Sequence, residues 1–254
     1  MNQEQLWAAQ KELRNVKYRL IEHYRGQIGS SVIHGPFRGL VLPQKGWWNC
    51  GDHVSKVFGF YEACLHPVLY DAVADDYLAF LDIGCADGYY ITGFARLCPS
   101  AKCIGFDVDA KAQEIARQQI VENQLKNCEI CGLFDAEALR EVRSGFNIDA
   151  GRRLFIKCDI EGAELELFNS DFCSLLSGID LLIEVHDFFG NTAIQAQLRE
   201  RLAPTHDVRM IAEAGRNPNA CRFLSDLPED VRWLIISEGR WTSMSWMWAR
   251  SKSL

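Results

Sequence analysis

From residue 77 onward, short apolar runs alternate with stretches whose apolar residues recur at helical spacing. The runs are YLAFLDIG, KCIGFD, CEICGLF, RLFIKCD and IDLLIEVHD, and helical patterns fall over 88–97, 110–124, 163–176 and 192–202. A strand that is apolar along its whole length is buried on both faces, and joining two parallel strands takes a crossover long enough to be a helix. The alternation therefore predicts a doubly wound α/β domain: a mostly parallel sheet with helices on both faces and right-handed crossovers. DLPEDVRWLIISEG then places Pro228 near a helix start, Glu229 and Asp230 in its first turn and Gly239 just past its end. SMSWMWAR, apolar at nearly every position, is a further strand buried on both faces.

The first 75 residues follow another rule, so 1–75 is expected to form an N-terminal helix and cap and 76–254 the α/β domain. Leu6, Ala9, Leu13, Val16, Leu20 and Tyr24 lie at alternating steps of three and four, with Gly26 as the stop. This stripe can pack on its own domain, the commoner arrangement, or on a second copy of the chain as a homodimer. Residues 27–75 are irregular, with loops and a short helix expected over 61–72. Within them Trp47, Trp48, Phe58, Phe60 and Tyr61, interleaved with Gly46, Gly51 and Gly59, have the composition of a mobile aromatic lid. Tyr61 and Glu62 are candidates for cofactor contact. Glu62 and His53 could reach the site, although packing or exposure is the simpler expectation for each.

A formal net charge of -7 argues against a nucleic-acid partner, because phosphate binding rests on clustered Lys and Arg. The ten cysteines are scattered through apolar segments without a signal peptide, so reduced thiols in a cytoplasmic protein are expected. Cys128 and Cys131 form a CxxC with no second pair at zinc spacing, which favours a structural role. No apolar run approaches the roughly 18 residues that a membrane span needs, so no membrane partner is expected.

LDIGCADGYYITGF, residues 81–94, runs from strand through a glycine turn into a helix. Gly84 and Gly88 let backbone approach a ligand, and the helix start offers free N–H groups. A dinucleotide fingerprint requires G-x-G-x-x-G beneath a pyrophosphate, whereas this turn is D-x-G-x-x-x-G. Asp82 would repel a pyrophosphate but could receive an ammonium group, directly or through water, and S-adenosylmethionine carries one. Asp107, nineteen residues after Gly88, is placed to accept two ribose hydroxyls. Asp109 is expected to cap the next helix. Asp135 can meet an adenine amino group or start a helix.

On these residues, 77–250 resembles a class I S-adenosylmethionine-dependent methyltransferase. DIGCADGYYITGFA, IKCDIEGAELELF and LLIEVHDF resemble the FkbM-like branch, whose members include O-methyltransferases acting on sugars and natural products. Where that family often carries a Glu-Pro pair after the second strand this chain has DVDAK, and Asp107 keeps the acidic role. The resemblance implies a Rossmann-like sheet of seven strands with the last antiparallel. It also implies a cofactor site at Asp82, Gly84, Cys85, Ala86, Gly88, Tyr89, Asp107, Val108 and Asp135, with Tyr61 and Glu62 from the cap.

FIKCDIEGAELELF sets four carboxylates behind an apolar strand. Ligands gather beyond the carboxyl ends of strands in such a sheet, which puts Asp159 and Glu161 in the cofactor crevice. Glu164 and Glu166 fall in a first helical turn, where the macrodipole favours them by roughly 0.3–1 kcal/mol, and that suffices for both. Glu184 and His186, two apart on the neighbouring strand, point to one side of the sheet. His186 is the first choice of general base for an acceptor hydroxyl and Asp159 the second, with Glu161 beside them. The same set, Asp159, Glu184 and His186 above all, could instead hold a divalent metal such as magnesium, which related-looking sugar and macrolide methyltransferases use in this region. A hydrogen-bonded acid cluster that only orders the strand ends is the third possibility. Arg240 is expected to pair with Glu238 on the surface, or else to clamp a substrate anion.

The expected activity is methyl transfer to a hydroxyl of a sugar, glycan or other secondary metabolite. Transfer to nitrogen or carboxyl, and a non-catalytic cofactor-binding module, are the alternatives. An NAD-dependent oxidoreductase is disfavoured by Asp82 and the missing third glycine.

Overall fold

The computed structural model describes residues 2–43, 51–146, 153–187, 192–240 and 242–252. Seven strands form one sheet in the order β3-β2-β1-β4-β5-β7-β6. They are β1 (Ala79–Ile83), β2 (Lys102–Phe106), β3 (Cys128–Cys131), β4 (Leu154–Cys158), β5 (Ile179–Val185), β6 (His206–Ala212) and β7 (Ser245–Ser251). The pairs among β1 to β5 are parallel, and β7 lies antiparallel between β5 and β6. This is a doubly wound, Rossmann-like sheet of seven strands with the last antiparallel, as the resemblance implies.

Two strand and helix positions escaped the apolar pattern. β6, HDVRMIA, is an edge strand with only half its residues turned inward, so it shows alternation rather than an apolar run. The helix α6 (Ala136–Phe146) carries Leu139, Val142 and Phe146 at helical spacing on the core, a stripe that the reading of apolar runs passed over. The helix expected over 163–176 is instead two single turns, α7 (Glu164–Leu167) and α8 (Ser170–Cys173). The extended backbone of Asn169 breaks it, and the Asn169 side chain accepts the Phe172 N–H to cap the second turn. Both Phe168 and Phe172 thereby enter the core.

The remaining crossovers are α4 (Tyr89–Leu97), α5 (Ala110–Glu122), α9 (Ala193–Leu202), and the pair α10 (Arg222–Ser225) and α11 (Glu229–Ile236). Asp109 caps α5 through the Lys111 and Ala112 N–H groups, at 2.7 and 3.0 Å. On one face, Leu81, Ile83, Ile104, Ile156, Leu181 and Ile183 pack against α6 to α9. On the other, Phe80, Cys103, Phe155, Leu182 and Trp248 meet α4 and the cap.

The cap shares that second core. It contains α1 (Gln3–Ile28), α2 (His53–Val57) and α3 (His66–Ala74), the last preceded by one 3₁₀ turn over Ala63–Leu65. α1 runs through Gly26 and stops at Gly29, whose φ of 74° only glycine adopts without strain. Its second half packs within the chain through Ile21, Ile28 and Lys17, which donates to the Ser237 carbonyl. Leu6 and Leu13, in its first half, are exposed. Of the expected lid, Gly46, Trp47 and Trp48 lie outside the described residues. Phe58 is buried and stacked on Phe223, so it is a core residue of the cap. No described helix is long and apolar enough to cross a membrane, and each described cysteine is a free thiol.

Phe155 stands at the centre of the cap-side core, with ring centroids of Phe80, Phe94, Tyr77 and Trp248 between 5.1 and 5.7 Å away. Replacing it by alanine is expected to cost about 3–5 kcal/mol. Urea denaturation of Phe155→Ala beside the parent protein checks this.

Candidate active site

The parallel register sets the site. Asp82 on β1 is the partner of Lys157 on β4, one step of two beyond the partners Phe80 and Phe155 on the same face. Each strand of this face thus changes from aromatic or aliphatic to ionic as it nears its carboxyl end: Phe80 to Asp82, Phe155 to Lys157, Leu182 to Glu184. Two cavities open there. The larger, about 770 Å³, is lined by the tips of β1 to β4 and includes Asp107, Val108, Leu133, Phe134 and Asp135. The smaller, about 250 Å³, is lined by Lys56, Tyr61, Tyr89, Tyr90, Lys157, Glu184, His186 and Arg240 among others. Gly84, Ala86, Asp159 and Glu161 belong to both walls.

The glycine turn is held by strand ends on both sides. Gly84 and Cys85 donate to the Phe106 carbonyl. A Cβ on Gly84 would sit 1.8 Å from the Asp159 carbonyl oxygen, so only glycine fits between β1 and β4. Ala86 takes a φ of 46° and donates its N–H to Asp107 Oδ2 at 2.9 Å, while Asp109 N–H donates to Asp107 Oδ1. Asp107 therefore orders the loop and faces the large cavity at once. Gly88 behaves differently from expectation: it lines neither cavity, and its bare Cα instead lets α4 approach Ala116 of α5. Val108 and Leu133 are exposed apolar groups on the large cavity, which suits the flat faces of a base. Asp135 also faces this cavity, and its Oδ1 caps α6 through the Glu137 and Ala138 N–H groups.

Asp82 lies beneath the cavities rather than in their walls. It is 0% exposed beneath the ammonium of Lys157, 3.2 Å away, and lines neither cavity. Burial raises its pKa to about 6 against the pull of Lys157. Burial would lower the Lys157 ammonium, but Asp82 and Asp159 outweigh it and raise it. Lys157 also reaches Asp159 Oδ2 at 3.6 Å, and the same ammonium lies over the Tyr90 ring.

Around His186 four carboxylates converge. Its Nε2 faces Asp159 Oδ1 at 3.7 Å, Glu161 Oε2 at 3.5 Å and Glu184 Oε2 at 3.7 Å. Its Nδ1 is 2.6 Å from Glu164 Oε1. Burial pushes the imidazole pKa down, yet the bond to Glu164 and the charge of Asp159 outweigh it and hold it up. Glu164 was expected to be an ordinary first-turn acid; it is fully buried and also accepts the Gly162 N–H at 3.0 Å. Glu166, by contrast, is exposed on the rim of the large cavity.

Arg240 is no surface residue. Its guanidinium joins Glu184 of β5, Glu62 of the cap and Glu238, the last at 2.7 Å. Glu238 in turn meets Arg216 at 2.6 Å. Glu62 therefore does not wall either of the two larger cavities; it is buried at a φ of 45°, bonded to Arg240 and to the Tyr90 hydroxyl. Burial pushes both Glu62 and Glu184 up, against Arg240. His53 is packed away from the site, with Nε2 2.7 Å from the Gly29 carbonyl oxygen. Tyr61 and Tyr89 do line the small cavity and flank the ammonium of Lys56, which pairs with Asp87 at 2.9 Å.

Lys56, Lys157 and Glu164 are thus site residues that the pattern missed. Lys157 carried a signal: a lysine inside an apolar strand has to find a buried acid. Asp159, Glu184 and His186 each offer one ligand atom within 4.8 Å of the others, a grouping that can hold a metal ion.

Residues 74–176 match the family model for a methyltransferase domain. No match was found among curated proteins. Similar solved structures include a precorrin-6y C5,15-methyltransferase from Geobacter metallireducens, with TM-score 0.48 and 12% identity over 74% of this chain and 89% of that one. An O-methyltransferase from Bacillus cereus in complex with S-adenosylhomocysteine has TM-score 0.48 and 12% identity, covering 72% of this chain and 79% of that one. The O-methyltransferase TomG from Streptomyces achromogenes, involved in tomaymycin synthesis and bound to S-adenosylmethionine, has TM-score 0.47 and 12% identity over 72% and 77%.

Removing Lys157 leaves Asp82 and Asp159 without their buried cation, so Lys157→Met is expected to cost about 3–5 kcal/mol. Pairing it with Asp82→Asn should recover part of the loss, because one uncompensated charge is gone. A double-mutant cycle in urea measures both.

Proposed function

We propose that the chain, whose residues 74–176 match a methyltransferase domain, transfers the methyl group of S-adenosylmethionine to a hydroxyl of a sugar or other secondary metabolite. The observation that carries this reading is the position of His186 Nε2 in the wall of the small cavity, facing Glu184 and the two acids that line both cavities, Asp159 and Glu161.

The large cavity suits the nucleoside end of the cofactor in size and in chemistry. About 770 Å³ is in the range of small-molecule sites, with Asp107 placed for ribose hydroxyls and Val108 and Leu133 for the base. When bound, S-adenosylmethionine supplies a methyl carbon activated by a sulfonium. The chain's contribution is to place an acceptor oxygen in line with that carbon and to give its proton somewhere to go. The small cavity is ringed by carboxylates and tyrosines, which suits a polyhydroxylated acceptor. Every cation lining it is already paired with an acid.

A divalent metal fits the same place. Asp159 Oδ1 is buried without a hydrogen-bond partner among the described residues, as an atom reserved for a cation would be. Asp159, Glu184 and His186 would hold the ion, which lowers the pKa of a nearby hydroxyl when bound. Asp159 and Glu161 then position the acceptor, and the buried strand tips keep bulk water out.

Incubation with labelled S-adenosylmethionine and a panel of glycans and metabolites tests the reading, the methylated atom being identified in the product. His186→Ala is expected to lower kcat by about 10²- to 10⁴-fold while S-adenosylhomocysteine binding, measured by calorimetry, stays near that of the parent. A chelator should abolish turnover and magnesium restore it. Unchanged turnover in His186→Ala would overturn the assignment.

Asp107→Ala should act on the other end of the reaction. Its loss frees the Ala86 and Asp109 N–H groups and removes the ribose acceptor, so KM for S-adenosylmethionine is expected to rise at least tenfold, about 1.4 kcal/mol, with kcat changed less. Steady-state kinetics at saturating acceptor separates the two.

A further inference from the structure

We infer that Glu164 is the positioning residue of the site: it accepts the hydrogen bond of His186 Nδ1–H and so turns the lone pair of Nε2 toward Asp159, Glu161 and Glu184. The inference rests on the proposed role of His186, since base and metal ligand alike require that tautomer.

Glu164 Oε1 already accepts the Gly162 N–H at 3.0 Å, so it is an accepting oxygen, and the 2.6 Å contact makes His186 Nδ1 the donor. Neutral imidazole carries one proton, which leaves Nε2 as the acceptor. Without Glu164 the preference reverses. Three carboxylates at 3.5–3.7 Å from Nε2 would draw the proton to that nitrogen and block it as base or ligand.

Only one oxygen of this carboxylate is used, and burying the other costs stability. Glu164 is 0% exposed, and its Oε2 has no hydrogen-bond partner among the described residues. An apolar side chain of the same length would avoid that desolvation. The placement is also local: Asp159, Glu161 and Glu164 come from one strand end, one turn and one helical turn. Glu161 adopts a φ of 55° and Gly162 one of 104°. That left-handed step turns the chain so that acids five residues apart approach opposite nitrogens of one ring.

Glu164→Met and Glu164→Gln separate orientation from packing. In the Gln variant the Gly162 N–H keeps the amide oxygen facing Nδ1, so the tautomer should persist; in the Met variant it should invert. Long-range ¹H–¹⁵N spectra of protein labelled in its six histidines, with His186→Asn assigning the signal, report the tautomer at alkaline pH. Binding of Mn²⁺ followed by electron paramagnetic resonance is the second readout. Glu164→Met should weaken it by about 10- to 100-fold, and Glu164→Gln should restore most of it. The other five histidine signals serve as the check on folding. The inference fails if the parent carries its proton on Nε2, or if Glu164→Met keeps both the Nδ1–H form and parental Mn²⁺ affinity. A parent protein with the Nδ1–H form but no Mn²⁺ binding would sink the metal role and uphold the orientation by Glu164.

Discussion

The ion pair between Lys157 and Asp82 is the contact on which the site depends. Lys157 lines the small cavity where the aromatic face of the sheet ends, Asp82 lies beneath it, and both groups are buried. A buried cation there does two things. It neutralises an acid that the turn places under the glycine loop, and it leaves part of its field for Asp159, whose pKa is lowered: burial would raise it, but Lys157, together with the bond to Glu184 and the charges of His186 and Arg240, outweighs burial. An ionised Asp159 is what either chemistry at His186 requires. Removing the cation would favour a neutral carboxyl, which is a poor ligand and no base.

How far the sequence foretold this depends on which physical signal each residue leaves. Strands buried on both faces leave apolar runs, so β1, β2, β4, β5 and β7 were legible, and so was the place of Asp107, Asp159, Glu184 and His186 at strand ends. β6 left no run because it is an edge. The two turns α7 and α8 were legible as helix but not as two, since Asn169 fits a helical pattern and acts as a cap only through its own backbone. Glu164 illustrates the deeper limit. A first-turn acid is favourable on electrostatic grounds alone, so nothing local distinguishes one that faces solvent from one that holds a histidine 22 residues away.

Arg240 shows the same limit from the other side. Its bond to Glu238, two residues away, was foreseeable; its bonds to Glu62 and Glu184, 178 and 56 residues away, were not. Their consequence is structural coupling. Glu184 offers one oxygen to Arg240 and the other to the space before His186. Glu62 offers one oxygen to Arg240 and the other to Tyr90, in the helix that follows the glycine turn. Cap, α4 and the tip of β5 are therefore tied through one guanidinium.

That coupling bears on how the acceptor end of the site keeps its shape. The Arg240 guanidinium is planar and forked, so three carboxylates in fixed directions define its orientation, and it in turn defines theirs. A lysine would supply the same charge without fixing those directions. Glu184 can present a constant oxygen toward His186 only while its other oxygen is held, and Arg240 holds it. The carboxylates at the strand tips are thus set by two different devices. Lys157 fixes the charge of Asp159 from below, and Arg240 fixes the geometry of Glu184 from the side. Between them His186 is left with its Nε2 facing two acids, Asp159 and Glu184, that are each held in place.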